Sequence, residues 1–417
     1  MALFSRLSNP SSWFYKALLF VNAALFLVYL GFWGIALRQD LLWRADFTAY
    51  YTGGALVRDG LGAQLYDLEL QARYQQEILG GKSFKDGLLP FNSPPHMALM
   101  LLPLTYLPLS VAFWIWTLAE VGLLAWVIAL MLQLTNSWLP HERRLWIGIL
   151  LAFPPLMLTL MQGAFSLLTL VAALQIYLAL KNDQPRRAGI WLAVGLLRPH
   201  VLLPMGLFVL LQRRWRSLLW AVPWGAGIVG GTALLLGGQV WVGFLNMTMK
   251  TSEFFDAFGV YPGRMYNLKG TLFLWLGKGA VLWINRVSLA SFVLYVLAMV
   301  WLWSPPLHSD HPAFELRLAL GLTLGLLFGL HVNPHDGLML LLPMLWLYLF
   351  LSSRASSQYV FLWFAALCPL LLFLSEFVVR GALGIRIPVL VMLLLSVWMG
   401  RSLWKEDQPG HDRVAIT

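Results

Sequence analysis

Long apolar stretches, separated by short connectors rich in Arg and Lys, run through most of this sequence. A helix needs roughly 17–25 apolar residues to cross about 30 Å of hydrocarbon. Ten stretches suit such helices, at 15–37, 111–133, 145–160, 164–180, 217–237, 287–303, 316–331, 337–352, 358–376 and 386–401. An apolar pair at 188–212 is interrupted by Arg198-Pro199-His200, and counting it as two gives about twelve spans. The pattern predicts an all-α integral membrane protein, a multi-pass helical bundle forming one domain over residues 1–417.

Composition supports a membrane protein and removes one class of partner. Apolar residues make up 59% of the chain and charged residues 12%, against about 45–50% and about 25% in soluble domains. A net charge of +10 would suggest nucleic acid as the partner of a soluble protein. Basic connectors between spans account for such a charge here, so no nucleic-acid partner is expected. The single cysteine excludes an internal disulfide.

The connectors also predict an orientation. With the predicted spans, several basic residues lie on the same side of the membrane as the amino terminus. In the connectors these are Arg143-Arg144, Arg186-Arg187, Arg213-Arg214 and Arg354, and in the two terminal segments they are Arg6 and Arg413. Short cytoplasmic loops carry the excess of Arg and Lys, so both termini are predicted to be cytoplasmic, in the cell (inner) membrane. The long loops at about 38–95 and 238–286 are then extracytoplasmic.

The large first loop holds predicted short helices and a candidate base. Residues 62–79 form an amphipathic pattern, and the apolar run that follows Phe91 suits a helix lying in the membrane interface. Asp46 lies about nine residues beyond the first span, among aromatic residues and before two glycines. A carboxylate held there could act as a general base on a hydroxyl. The alternative is a helix N-cap.

Three other polar sites interrupt apolar sequence. A cation at the Arg198-Pro199-His200 break could hold an anion such as phosphate, or Arg198 could reach the membrane interface. The run from His331 to Asp336 favours phosphate contact over a metal site, or else is an interfacial turn whose Asn and Asp cap the next helix. Glu120, in the middle of the second span, is either a coupling-site acid or a group bonded to a neighbouring helix.

Several landmarks, taken in order, resemble a known family. They are DFTAYYTGGALVRDGLGAQLYD (46–67), F-x-x-P-P before an apolar run (91–108), Gln162-Gly163, Arg198-Pro199, Asn267 to Gly270, and Asn333-Pro334-His335-Asp336. Over about residues 40–345 the chain resembles the polyprenyl-phosphate-sugar-dependent glycosyltransferases of GT-C architecture. Within them it is similar to the bacterial polyprenol-phosphate-mannose-dependent α-mannosyltransferases. Arg198 stands where that family more often has Lys, and Leu268-Lys269 replace its fuller Asn-x-Ser pattern.

The resemblance implies a reaction and a set of roles. The donor would be a hexose, mannose in that family, on a polyprenyl phosphate, and the acceptor a hydroxyl of a lipid-linked or glycan molecule at the outer face. Asp46 would deprotonate the acceptor, while Arg198, His335 and His200 bind the donor phosphate. No cofactor and no metal would be required. The residues expected to line the substrate are Tyr50, Tyr51, Asn333, Asp336, Asn267 and Arg264.

Two other hypotheses remain open. One is a lipid or solute transporter with a midplane site at Glu120 and Arg198. The other is a polysaccharide ligase or polymerase that uses a lipid diphosphate. The transferase hypothesis expects Asp46, Arg198 and His335 to lie within roughly 10–12 Å of one another, the span of one sugar phosphate plus side-chain reach.

Overall fold

A computed structural model describes residues 12–304, 306–351, 355–380 and 382–406, in which every regular element is helical. The α-helices are α1 (Trp13–Arg38), α2 (Phe47–Arg58), α3 (Leu68–Ile78), α4 (Pro95–Leu101), α5 (Leu109–Leu134), α6 (Pro140–Leu151), α7 (Pro154–Gln162), α8 (Ser166–Lys181), α9 (Pro185–Val194), α10 (Pro199–Leu211), α11 (Trp215–Leu236), α12 (Gln239–Thr251), α13 (Leu268–Leu276), α14 (Val281–Trp303), α15 (Ala313–Phe328), α16 (Leu341–Leu351), α17 (Ala355–Phe373) and α18 (Ile387–Glu406). The 3-10 helices are Leu42–Arg44, Gly62–Gln64, Leu102–Tyr106, Gly195–Leu197, Pro262–Arg264, Lys278–Ala280 and Pro334–Leu340, and a π-helix spans Leu374–Val379.

The helices confirm a multi-pass membrane protein but not the count of about twelve spans. In the described ranges seven helical segments are long and apolar enough to cross a membrane, or eight if the bent pair α6–α7 is one span. The segments predicted at 164–180, 188–212 and 316–331 form α8, α9 with α10, and α15, which are 10 to 16 residues long. Each of these helices alone is shorter than about 17 residues, the least that a straight span requires.

Burial divides the bundle into a core and a lipid-facing shell. Nearly every side chain of α8, α15 and α16 is buried, as is typical of a helix that is apolar all round and packed inside a bundle. By contrast α11 and α14 expose large apolar side chains such as Leu219, Leu234 and Trp301. Such a surface is compatible with lipid, so these helices form the outer layer.

Prolines set the breaks that shape one end of the bundle. The pair α6–α7 bends by 47°, where Pro154 and Pro155 open α7; proline lacks the amide hydrogen that would continue the helix and restricts the residue before it. The break predicted at Arg198 is also present, because α9 gives way to a 3-10 turn and α10 begins at Pro199. Polar side chains surround the break at Arg198, and Pro155 of the other break packs against Gly337, which follows Asp336.

The first loop and the second long loop meet at this same end. The amphipathic helix predicted at 62–79 is α3, with its N-cap at Asp67, and the interfacial segment is α4. Arg264, in the second long loop, and Asp46, in the first, line one cavity. Part of the orientation prediction rests on Arg6, Arg354 and Arg413, which lie outside the described residues. The side of the membrane on which this end lies stays a prediction.

Candidate functional site

A cavity of about 690 Å³ lies where the first loop, the second long loop and the turn after α15 come together. Polar and apolar side chains both contribute to its wall, which is formed by Trp43, Arg44, Asp46, Ser83, Phe84, Lys85, Asp86, Leu88, Leu89, Leu158, Gln162, Gly259, Tyr261, Arg264, Asn333, Pro334 and His335. Another cavity of about 660 Å³, among Leu351, Trp398 and Arg401, is of similar size. Volume therefore does not select the site, and the chemistry of the wall does.

Asp46 occupies the N-cap position of α2, yet its carboxylate does not cap the helix. The side chain is 32% exposed and lines the cavity. The surrounding protein partly removes the carboxyl from water, and this burial raises the pKa of Asp46 above its usual range; His335 and Arg198 limit that rise. A carboxylate that is free of capping and has a raised pKa is suited to accept a proton from a hydroxyl.

Gln162 and Gly163 hold Asp46 in this position. The Asp46 amide donates to Gln162 Oε1 at 3.0 Å. Gly163 ends α7 with a φ of 61°, a left-handed conformation that favours glycine. A Cβ at Gly163 would lie only 2.9 Å from Cβ of Phe47, and the Gly163 carbonyl accepts from Trp116 Nε1 at 3.0 Å. The Gln-Gly pair thus closes one wall of the site against α2.

His335 connects Asp46 to a buried ion pair. Its Nδ1 lies 3.8 Å from Asp46 Oδ2, and its Nε2 lies 3.3 Å from Arg198 Nη2. An arginine only donates hydrogen bonds, so Nε2 is the acceptor in that contact. A neutral His335 therefore carries its proton on Nδ1, the nitrogen that faces Asp46. The three residues converge well within the distance of 10–12 Å expected of them.

Asp336 is the second carboxylate nearby, but it is fully engaged. It is 1% exposed and forms an ion pair with Arg198, and its Oδ2 accepts from the Asn333 amide at 3.0 Å. The capping role considered for this turn is therefore real for Asp336. Its second role is to fix the guanidinium of Arg198 behind His335.

The expected substrate-lining residues separate into two groups. Arg264 and Asn333 line the cavity. The others do not. Tyr50 is buried against Phe165, with ring centroids 5.0 Å apart, and the Tyr51 hydroxyl donates to the Leu107 carbonyl at 2.7 Å.

Asn267 and His200 also lie away from the cavity. Asn267 is fully buried, caps α13 through Gly270 and donates to the Gly329 carbonyl at 2.8 Å. His200 packs edge-to-face against His331, with ring centroids 6.4 Å apart. Asp336, as described above, lies behind His335.

Sequence reasoning missed several residues of the wall and its support. Arg44 and Lys85 line the cavity, and Glu376 makes an ion pair with Arg264 at 2.6 Å. Arg44 could have been suspected from its place two residues before Asp46. Glu376 is, like Glu120, an acid within an apolar span, and intramembrane charge is a functional signal.

Glu120 does not face a cavity. It is 0% exposed, and neither carboxylate oxygen has a hydrogen-bond partner in the described structure. A transporter site at Glu120 requires access from an aqueous cavity, so this geometry does not favour the transporter hypothesis. Among the residues that the structure describes, no group of three His, Cys, Asp or Glu is placed to hold a metal ion.

Comparison with known proteins gives one match. The model of glycosyltransferase family 87 matches residues 91–329, more than half of the 417 residues. No curated protein and no solved structure matches the chain. The matched stretch contains Gln162 and Arg198, whereas Asp46 precedes it and His335 follows it.

Proposed function

Because the chain belongs to glycosyltransferase family 87, we propose that it transfers a hexose from a polyprenyl-phosphate sugar to a hydroxyl of a lipid-linked or glycan acceptor at the outer face of the membrane. Mannose is the proposed hexose, on the resemblance of the sequence landmarks. The observation that carries the proposal is Asp46: an uncapped carboxylate that lines the cavity and lies 3.8 Å from a histidine of another loop.

The proposed reaction is a single displacement. Asp46 takes the proton of the acceptor hydroxyl as the acceptor oxygen bonds to the anomeric carbon. The bond from that carbon to the phosphate oxygen breaks, and its electron pair leaves with the polyprenyl phosphate. The anomeric configuration is inverted.

The number of available carboxylates supports one base over an acid–base pair. Glycosidases use two carboxyl groups, one of which protonates a poor leaving group. Here Asp336 is held by Arg198 and by the Asn333 amide. Asp86, the other carboxylate of the wall, accepts from the Phe258 amide at 3.0 Å, which leaves Asp46, beside His335, as the carboxylate available to the acceptor. A phosphate is stable as an anion, so this leaving group needs positive charge more than a proton.

Behind His335, a buried guanidinium donor that has no partner among the described residues supports a phosphate leaving group. Arg198 is buried, and its Nε has no hydrogen-bond partner in the described structure. An unsatisfied buried donor costs free energy, and a phosphate oxygen would satisfy it. In this proposal the guanidinium of Arg198 stabilises the departing phosphate. His335 positions Arg198 through Nε2 and Asp46 through Nδ1–H, and His200, which lies away from the cavity, makes no contact with the phosphate.

The test is a donor panel with purified, membrane-reconstituted protein. Radiolabelled sugars are supplied on polyprenyl monophosphate, on polyprenyl diphosphate and on nucleotides, with a lipid and glycan extract as the source of acceptors. We expect transfer from the polyprenyl monophosphate, with mannose preferred. Preferential use of the diphosphate would instead support the ligase or polymerase hypothesis, and use of nucleotide sugars alone would refute the lipid donor.

A further inference from the structure

Arg264 is a cation of the cavity wall, and a buried carboxylate outside the cavity holds its guanidinium. It ends the 3-10 turn Pro262–Arg264, and its side chain is 53% exposed and lines the cavity. One guanidinium nitrogen, Nη2, donates to Glu376 Oε1 at 2.6 Å. The side chain is therefore anchored at one edge and open to the cavity elsewhere.

Glu376 lies in the π-helix that follows α17, and it is buried. Its side chain is 3% exposed, Tyr266 donates to its Oε2 at 3.4 Å, and Arg386 Nη1 lies 3.9 Å from the same oxygen. Short π segments inside helices are frequent at functional sites. Two arginines face one carboxylate, so the cluster keeps a net charge of +1 beside the cavity.

Arg386 ties the backbone of the 3-10 turn Pro262–Arg264 to the π-helix after α17 and to the start of α18. Its Nε donates to the Gly263 carbonyl at 2.7 Å, and its Nη1 donates to the Ser375 carbonyl at 3.4 Å. Ser375 Oγ in turn accepts from the Ile387 amide at 3.1 Å. The end of α17 and the start of α18 thus hold both the backbone before Arg264 and its side chain. Glu376 and Arg386 lie beyond the stretch matched by the family.

We propose that Arg264 binds a phosphate group of a substrate, and that Glu376 is the positioning residue that holds its guanidinium toward the cavity. This inference rests on the proposed function. Arginine offers a planar array of donors that matches phosphate oxygens. Arg198 is already paired with Asp336, whereas Glu376 faces two arginines, so the cluster that contains Arg264 keeps a net charge of +1. The phosphate belongs to the polyprenyl-phosphate donor or to a phosphate-bearing acceptor.

Binding of the leaving group, polyprenyl phosphate, tests without turnover whether the donor supplies the phosphate. Wild type, Arg264→Gln, Arg264→Lys and Glu376→Gln, each in nanodiscs, are titrated with polyprenyl monophosphate and with the neutral polyprenol. Arg380→Gln is the matched control, because Arg380 is exposed and follows the same π-helix. If the donor supplies the phosphate, Arg264→Gln should weaken monophosphate binding about tenfold or more. Polyprenol binding should not change, and Arg264→Lys should recover part of the loss.

Kinetics separate the two sources of phosphate and the role of Glu376. A rise in KM confined to the donor assigns the phosphate to the donor. A rise confined to phosphate-bearing acceptors, with neutral acceptors unaffected, assigns it to the acceptor. Since Glu376 acts through Arg264 in this proposal, Glu376→Gln should raise the same KM. In the Arg264→Gln background, Glu376→Gln should add no further effect.

Three results overturn the inference alone. The first is unchanged binding and unchanged KM in Arg264→Gln, when the wild-type protein uses polyprenyl-phosphate sugars. The second is an equal loss with neutral and phosphate-bearing substrates, and the third is an additive effect of Glu376→Gln, because either of these marks a general structural defect. A wild-type protein that neither binds polyprenyl phosphate nor uses its sugars refutes the proposed function, and this inference with it.

Discussion

The Nδ1 atom of His335 lies 3.8 Å from Oδ2 of Asp46 and joins the first loop to the turn after α15. Because Arg198 occupies the other ring nitrogen, the imidazole presents its N–H to the carboxylate. This contact is longer than a direct hydrogen bond, and contacts of catalytic groups often tighten when substrate binds. His335 would then orient one oxygen of Asp46 and leave the other for the acceptor.

Replacing Asp46 by Asn should remove the base and keep the shape of the site. General-base catalysis contributes about 100- to 10,000-fold, so Asp46→Asn should lower kcat by that order. Because Asp46 does not cap α2, the thermal midpoint and the binding of polyprenyl phosphate should change little. Initial rates, thermal unfolding and titration with polyprenyl phosphate measure the three quantities.

Asp59→Asn is the control for this variant. Asp59 belongs to the same loop, is partly exposed and pairs with its neighbour Arg58. The change removes an equal charge outside the cavity, so the rate should stay near that of wild type. Full activity of Asp46→Asn would rule out Asp46 as the base.

The pH dependence should report on Asp46. Burial raises the pKa of its carboxyl, and His335 is the largest influence that lowers it. The base works only when ionised, so kcat/KM should fall as the pH drops through this raised pKa. His335→Phe should move the acid limb to higher pH, and His335→Gln should move it less because it retains an N–H donor. Profiles of kcat/KM between about pH 4 and pH 9 measure the shift.

His308 offers a matched histidine for comparison. It is exposed and pairs with Asp310, outside the cavity wall, so His308→Gln should leave the acid limb in place. An acid limb that does not move in His335→Phe would show that His335 does not influence the titrating base.

Gly163→Ala should disturb Asp46 through the backbone. The residue has a φ of 61°, and a new Cβ would come within 2.9 Å of Cβ of Phe47. Strain of this kind costs on the order of 1 kcal/mol or more, and a shift of Asp46 by a fraction of an ångström weakens general-base catalysis. We expect kcat to fall about tenfold or more, with a modest loss of thermal stability.

Gly206→Ala serves as the comparison for Gly163→Ala. Gly206 lies within α10, and a Cβ there meets nothing within 4 Å. Alanine is the better helix former, so activity should be retained and stability should not fall. Equal kinetics of Gly163→Ala and wild type would mean that Asp46 does not depend on this close contact.

Local rules predicted most of the helices and the polar breaks. Proline chemistry indicated the turn at Pro199, and the position of Asp46 before a helical stretch indicated its place at the start of α2. The approach of Asp46 to His335 is a tertiary contact, and only the family resemblance suggested it. The family resemblance placed Tyr51 among the substrate-lining residues, but its side chain is buried and its hydroxyl donates to the Leu107 carbonyl.

Other residues were beyond the reach of local patterns. The pairing of Arg264 with Glu376 joins the second long loop to the π-helix, and no spacing within either segment indicates the other. The number of membrane spans is lower than predicted for a related reason. Short helices such as α8 are stabilised by burial on all sides, so an apolar stretch alone does not separate a core helix from a lipid-facing span.

The orientation of the site can be tested by labelling single cysteines. The native Cys368 is fully buried, so a membrane-impermeant maleimide should not react with the wild-type protein. Gln76, on α3 beside the cavity loops, and Gln184, in the connector before α9, are both exposed. Basic residues flank Gln184, and short basic connectors are predicted to be cytoplasmic.

In intact spheroplasts, Gln76→Cys should be labelled at once, and Gln184→Cys only after permeabilisation. The reverse pattern would place Asp46 and its cavity on the cytoplasmic side, and it would refute transfer at the outer face while leaving the chemistry of the site in place.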